Sequence, residues 1–202
     1  MAALELYYDF SSTNAYFAAF LAPRLCERLG VELRWRPYHL GHVFRKRGHS
    51  VLRDHSPEKL EYLWRDHQRW SKLTGLPFNR PSRFPIKTST ALRGSLVAAE
   101  LGREQDYVQA VMRAYWVDDR DIAQAEVVAE VAAGLGLDGT DLIAKAESEA
   151  MRSALVRITD EGIARGAFGA PMFFVGQEMF WGKDRLDFVE AALRQALEAE
   201  GC

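Results

Sequence analysis

Strand-like patterning is confined to the two ends of this chain, and a long block of helical periodicity separates them. That division leaves few folds open, because short end strands must pair with one another to be stable, whatever lies between. At the start, Leu4 to Tyr8 is an apolar run of residues that suit a strand. Phe17 to Leu29 then follows helical spacing, with Tyr16, Phe20, Leu21, Leu25 and Leu29 recurring on one side. Val31 to Trp35 alternates apolar and polar and is a second strand ended by Pro37. Strand, helix and strand in this order predict a parallel unit with a right-handed crossover. At the other end, Pro171 to Val175 is a buried-strand run, Gly176-Gln177 a two-residue turn, and Glu178 to Trp181 a second strand. Asp184 to Glu198 closes the chain as an amphipathic helix, with Leu186, Val189, Leu193 and Leu197 on one face.

The middle is helical. His39 to Ser56 is basic and contains glycine, which fits a mobile loop or a short helix. Glu58 to Leu73 is a strong helix, with Pro57 in its first turn and Gly75 at its end. Pro77, Pro81 and Pro85 make Leu76 to Ile86 irregular. Helices are expected near Ser89–Leu101, Glu104–Trp116, Ile122–Leu135, Gly139–Ala150 and Met151–Arg165, with Asp121 capping the third. Gly134-Leu135-Gly136-Leu137-Asp138-Gly139 matches a dinucleotide fingerprint by letters, but it follows a helix, so it reads as a helix stop.

Composition narrows the function. The chain has 202 residues, 48% of them hydrophobic, enough for one compact unit carrying an insertion. A net charge of −2 gives no reason to expect nucleic acid. No run is long enough to span a membrane, and the first residues do not resemble a signal peptide. Two cysteines, Cys26 and Cys202, make neither a disulfide framework nor a metal cluster, so a reducing cytoplasmic setting is the expectation.

The stretch Tyr8-Asp9-Phe10-Ser11-Ser12-Thr13-Asn14-Ala15-Tyr16 joins the first strand to the first helix. Ser11 or Ser12 can simply cap that helix. The same helix N-terminus presents free N–H groups and a partial positive charge, which favour an anion. His39 and His42 lack a nearby carboxylate and read as loop packing rather than metal ligands. Asp118-Asp119-Arg120-Asp121 reads as helix capping rather than a cation site. Trp64, Trp70 and Trp116 read as core or interface residues, and no histidine has the context of a serine–histidine–aspartate triad.

Several motifs in this order carry a family resemblance: Asp9-Phe10-Ser11-Ser12; Trp64-Arg65-Asp66 with Arg69-Trp70; Gly75-Leu76-Pro77-Phe78; Phe168-Gly169-Ala170-Pro171; and Phe180-Trp181-Gly182-Lys183-Asp184-Arg185. Over essentially its full length the chain resembles the DsbA-type thioredoxin fold. More narrowly, it resembles the 2-hydroxychromene-2-carboxylate isomerases, relatives of the kappa-class glutathione transferases. The resemblance implies an α/β thioredoxin-like fold (βαβ…ββα) with a large all-helical insertion. Residues 1–38 and 160–202 would form the thioredoxin-like domain and 39–159 the insertion.

Where redox members of that fold carry Cys-x-x-Cys, this chain has Ser12-Thr13-Asn14-Ala15, so dithiol exchange has no sulfur to work with here. The resemblance implies that glutathione brings the thiol and that Ser12 donates to its sulfur. It places glutathione on Ser12, Thr13, Asn14, His49, Ala170, Pro171, Lys183 and Asp184, with Ala170-Pro171 as a cis-proline turn beside which an extended peptide can pair. Thr13, Ala15 and His49 stand where the family usually has proline, serine and asparagine.

The implied reaction is isomerisation of an aromatic hydroxy-carboxylate by reversible thiolate addition. Phe10 and Trp181 would help to exclude water, and Arg45, Lys46, Arg47 and Arg53 would meet the substrate's carboxylate. A homodimer without a membrane or nucleic-acid partner is implied as well. The alternatives are a kappa-like transferase and a cysteine-free peptide binder.

Overall fold

The computed structural model describes residues 2–48 and 56–201. Four strands, β1 (Ala3–Tyr8), β2 (Glu32–Pro37), β3 (Met172–Val175) and β4 (Glu178–Trp181), form one mixed sheet in the order β2-β1-β3-β4. β1 pairs with β2 in parallel, and β3 is antiparallel to both β1 and β4. The two ends of the chain therefore build one sheet, as their patterning requires. Side chains alternate across it. Leu4, Leu6, Tyr8, Phe173 and Val175 enter the main core, while Tyr7, Met172 and Phe174 enter a second cluster with Tyr38 and Val43.

Nine helices accompany the sheet among the described residues: α1 (Thr13–Leu29), α2 (Leu40–Arg47), α3 (Pro57–Thr74), α4 (Ser89–Glu100), α5 (Glu104–Trp116), α6 (Ala125–Gly134), α7 (Gly139–Ala146), α8 (Glu149–Ala164) and α9 (Leu186–Glu200). The basic stretch after Pro37 thus contains a helix. The letters of the apparent dinucleotide fingerprint end α6, with Gly136 at φ 78° in the left-handed region. Two expected boundaries move. Asp121 does not cap a helix; it accepts from the Ala123 N–H at 3.2 Å within a turn, and α6 begins only at Ala125. Asp184 lies in a single 3-10 turn, Lys183–Arg185, and α9 starts after it without a side-chain cap.

Two close contacts explain local choices of residue. α1 continues through Pro23, which has no N–H for the carbonyl of Ala19 four residues earlier. The side-chain amide of Gln109 on α5 donates to that buried carbonyl at 3.0 Å, so the missing helical bond is replaced from outside. On α8, a Cβ at Gly162 would lie 2.8 Å from the rings of both Tyr7 and Tyr38. Only glycine lets α8 press this closely on the sheet.

Candidate active site

The turn between β1 and α1 is built around Asp9, which is 1% exposed. Its Oδ1 accepts from the Ser11 N–H at 2.9 Å, the Ser11 hydroxyl at 2.8 Å and the Thr88 hydroxyl at 2.9 Å. Its Oδ2 accepts from the Leu40 N–H at 2.8 Å. A buried carboxylate needs such donors to remain charged. One side chain therefore ties the turn to the starts of α2 and α4. Trp116, at the end of α5, adds an indole N–H bond of 2.8 Å to the carbonyl of Phe10. The phenol of Tyr16 donates to the carbonyl of Pro77.

This scaffold sets Ser12 at the N-cap of α1 in extended conformation. Its Oγ accepts from the Ala15 N–H at 3.2 Å and donates to the carbonyl of Ala170 at 2.8 Å. Ser11 points elsewhere, its hydroxyl committed to Asp9. The Ala170–Pro171 peptide bond is cis. Pro171 in turn accepts from the Gly182 N–H at 3.2 Å, which joins the start of β3 to the turn after β4. The two ends of the chain thus meet at Ser12, Ala170 and Gly182.

Behind the first turn of α1 lies Lys183, 6% exposed. Its ammonium donates to Asn14 Oδ1 at 2.8 Å and sits 4.5 Å from the centre of the Trp70 ring. Burial pushes its pKa down, against the attraction of Asp66 and Asp184. His67 Nε2 lies 3.3 Å from the same Asn14 oxygen. Because an ammonium can only donate, that atom of Asn14 is the acceptor, and the ring proton of His67 belongs on Nε2. Nδ1 of His67 is buried and makes no hydrogen bond of good geometry, although the backbone of Leu63 lies close enough to favour the charged ring. Burial first, and the Lys183 charge second, push the His67 pKa down to about 4, so the ring is neutral.

The residues expected at the site are dispersed in character. Ser12, Ala170 and Pro171 converge, and Thr13 and Asn14 follow in the first turn of α1. Asp184 is exposed and pairs with Arg185 at 3.0 Å. The side chain of its neighbour Lys183 turns inward to Asn14. His49 and Arg53 lie outside the described residues. Of the basic residues of α2, Lys46 pairs with Asp160 at 2.9 Å and Arg47 donates to the carbonyl of Ala167 at 3.0 Å. Arg45 is exposed. Its guanidinium, like the ring of His39, approaches Gly41 in the first turn of α2. His42 is engaged with Asp160 at 2.9 Å.

Trp181 is half-exposed and meets Phe168 edge-to-face at 5.0 Å, beside Gly169. Phe10, by contrast, is wholly buried against Tyr8 and Tyr107, so it belongs to the core and lines no open surface. Thr88 as a support, the bond from Trp116 to the Phe10 carbonyl and the partnership of Lys183 with Asn14 were invisible in the sequence, where Trp116 reads only as a core or interface residue. The one available signal was Asp9, an acidic residue inside an apolar run.

A model of the DSBA-like thioredoxin domain matches residues 3–194. A 2-hydroxychromene-2-carboxylate isomerase from Sphingobium xenophagum is 29% identical over 195 residues, covering 94% of this chain and 97% of its own. Another, from Pseudomonas sp. (strain C18), is 30% identical over 192 residues, covering 94% and 89%. A solved 2-hydroxychromene-2-carboxylate isomerase superposes with a TM-score of 0.88 at 28% identity, covering 98% of each chain.

Proposed function

Because this chain belongs to the DSBA-like thioredoxin domain family, we propose that it is a glutathione-dependent isomerase of aromatic substrates of the 2-hydroxychromene-2-carboxylate kind. The observation that carries this reading is the hydroxyl of Ser12, at the N-cap of a 17-residue helix and on the carbonyl preceding the cis Pro171. Among the described residues the chain brings no cysteine there: Cys26 is buried within α1, and burial pushes its thiol up to about 11.

The surroundings fit a thiol brought by a cofactor. The carboxylate of Asp9 is saturated by four donors, while Lys183 brings a buried positive charge to the first turn of α1. Glutathione, when bound, supplies a thiolate that adds to the conjugated double bond and leaves once the resulting single bond has turned. The Ser12 hydroxyl has one proton to give. Turning it from Ala170 toward a sulfur would release the Ala170 carbonyl to accept from the backbone of an extended peptide. The exposed carboxylate of Asp184 suits the ammonium at the other end of such a peptide. Trp181, standing over Gly169, gives an aromatic substrate a face to stack on.

The test is calorimetric titration with glutathione, followed by an absorbance assay of the isomerisation of a 2-hydroxychromene-2-carboxylate with and without it. The reading expects micromolar to millimolar binding and turnover only with glutathione. No binding would overturn it, and so would a product that stays attached to sulfur, which would mark a transferase.

A further inference from the structure

We infer that Asn14 and Lys183 form a charge-positioning pair, in which a neutral amide holds a buried ammonium beside the first turn of α1 without neutralising it, so that its charge favours a thiolate facing Ser12. The inference deepens the proposed function and rests on its placing a sulfur at Ser12. Neither residue needs to touch that sulfur, so both are positioning residues.

Lys183 is nine-tenths buried, yet its one hydrogen-bond acceptor among the described residues is an uncharged oxygen. Buried ammonium groups are ordinarily paired with a carboxylate, because an unpaired charge out of water is costly. Here the remaining stabilisation comes from aromatic faces, with Trp70 at 4.5 Å and Phe17 at 5.7 Å. The charged and titratable groups around it have other commitments. Asp66, on α3, lies 3.5 Å from Arg69. Asp184, its neighbour in the chain, pairs with Arg185. His67, packed on the same Asn14 oxygen, is neutral. Asp66 and Asp184, each shared with an arginine, offset only part of the ammonium's field, and the remainder adds to the partial positive charge at the start of α1.

An aspartate in place of this asparagine would hold the same lysine more strongly. It would also remove the field. Asparagine orients the ammonium while leaving its charge in place, and that difference makes the idea testable.

The test converts Ser12 into its own reporter. In a Ser12→Cys, Cys202→Ser chain, the new thiol is titrated by thiolate absorbance and by the pH dependence of its alkylation. Cys26 stays silent in this range because its thiol titrates near 11. The reporter is expected to titrate at least about one pH unit below the ordinary value near 8.5. Adding Asn14→Asp, or Lys183→Met, should raise it by about one unit, and Lys183→Arg should restore most of the shift. Asn14→Asp gains an ion pair and keeps the fold, so it decides the matter even if Lys183→Met melts. A reporter that titrates at the same pH with and without the Asn14→Asp substitution overturns the inference. Glutathione takes no part in this measurement. Its failure to bind the unaltered chain would sink the proposed function and leave the thiol titration to decide the pair.

Discussion

Ser12 and Ala170 are 158 positions apart in the chain, and the hydroxyl of one donates to the carbonyl of the other at 2.8 Å. This bond does three things at once. It closes the N-terminal and C-terminal halves of the site, it leaves Oγ accepting from the Ala15 N–H as a helix cap, and it occupies the only proton the Ser12 hydroxyl has.

Ser12→Ala removes both the cap and the cross-link. The expected loss is about 1–2 kcal/mol of stability, read by denaturant unfolding. Turnover with glutathione is expected to fall by one to two powers of ten, on the order of what one hydrogen bond to a charged group supplies. Ser11→Ala, which touches only Asp9, should change turnover much less. Equal turnover in Ser12→Ala and the parent would leave Ser12 with capping alone.

Asp9→Ala strands the donors of Ser11, Thr88 and Leu40 in a buried turn. The cost should exceed about 3 kcal/mol, because each unsatisfied buried donor costs roughly 1–3 kcal/mol. The same chain should lose its affinity for glutathione, since the turn carrying Ser12 loses its anchors. A variant that unfolds at the parent's denaturant midpoint would contradict this account of the turn.

Stability should depend on pH through His67. Its folded pKa is depressed to about 4, against an ordinary value near 6.5, so the fold favours the neutral ring. The sign follows: this contribution is fully present above about pH 6.5 and is lost as pH falls toward 4. It amounts to about 3 kcal/mol at most. His67→Gln keeps a donor for Asn14 and cannot charge. Its stability should fall less between pH 6.5 and 4 than the parent's, as measured by urea unfolding across that range.

Gln109→Leu tests the repair of α1 at Pro23. Without the amide, the buried carbonyl of Ala19 has no donor, and the cost should be roughly 1–3 kcal/mol. Pro23→Ala in the same chain restores an N–H four residues on, and should recover most of that loss. No recovery in the double variant would mean that packing, not the carbonyl, sets the cost.

Arg45 is the basic residue of α2 that we propose meets a substrate carboxylate. Arg45→Ala should raise KM several-fold for a carboxylate substrate and leave it nearly unchanged for a neutral electrophile. Lys46→Ala and Arg47→Ala should lower the melting temperature instead, because those side chains hold Asp160 and the Ala167 carbonyl. An equal rise in KM for both substrates on replacing Arg45 would remove it from carboxylate binding.

The fold was readable because its signals are local. The apolar run at 4–8, the alternation at 31–35, the buried-strand run at 171–175 and the helical spacing between them are properties of neighbouring residues. Ser12 was readable for the same reason, since capping acts over three residues. Asp9 could be seen as a motif letter but not as an anchor, because two of its partners, Leu40 and Thr88, come from helices far along the chain. Lys183 could be seen as a motif letter, but not its direction, because a side chain's direction depends on what packs around it. Only the approach of Trp70 and Asn14 makes its inward position favourable. Asp121 failed as a cap because a turn ending at Gln124 intervenes before the helix begins.

The strand order has a consequence during synthesis. β1 lies inside the sheet, yet one of its two neighbours, β3, is made only after the whole helical block that separates them. Until then β1 can pair only with β2, and its other edge offers unpaired N–H and C=O groups to any extended chain nearby. Contacts this distant in sequence also form slowly. A chain interrupted anywhere in the helical block would carry that open edge and a turn without Ala170. Such fragments should be inactive and prone to aggregate, and the full chain passes through the same exposed state each time it is made.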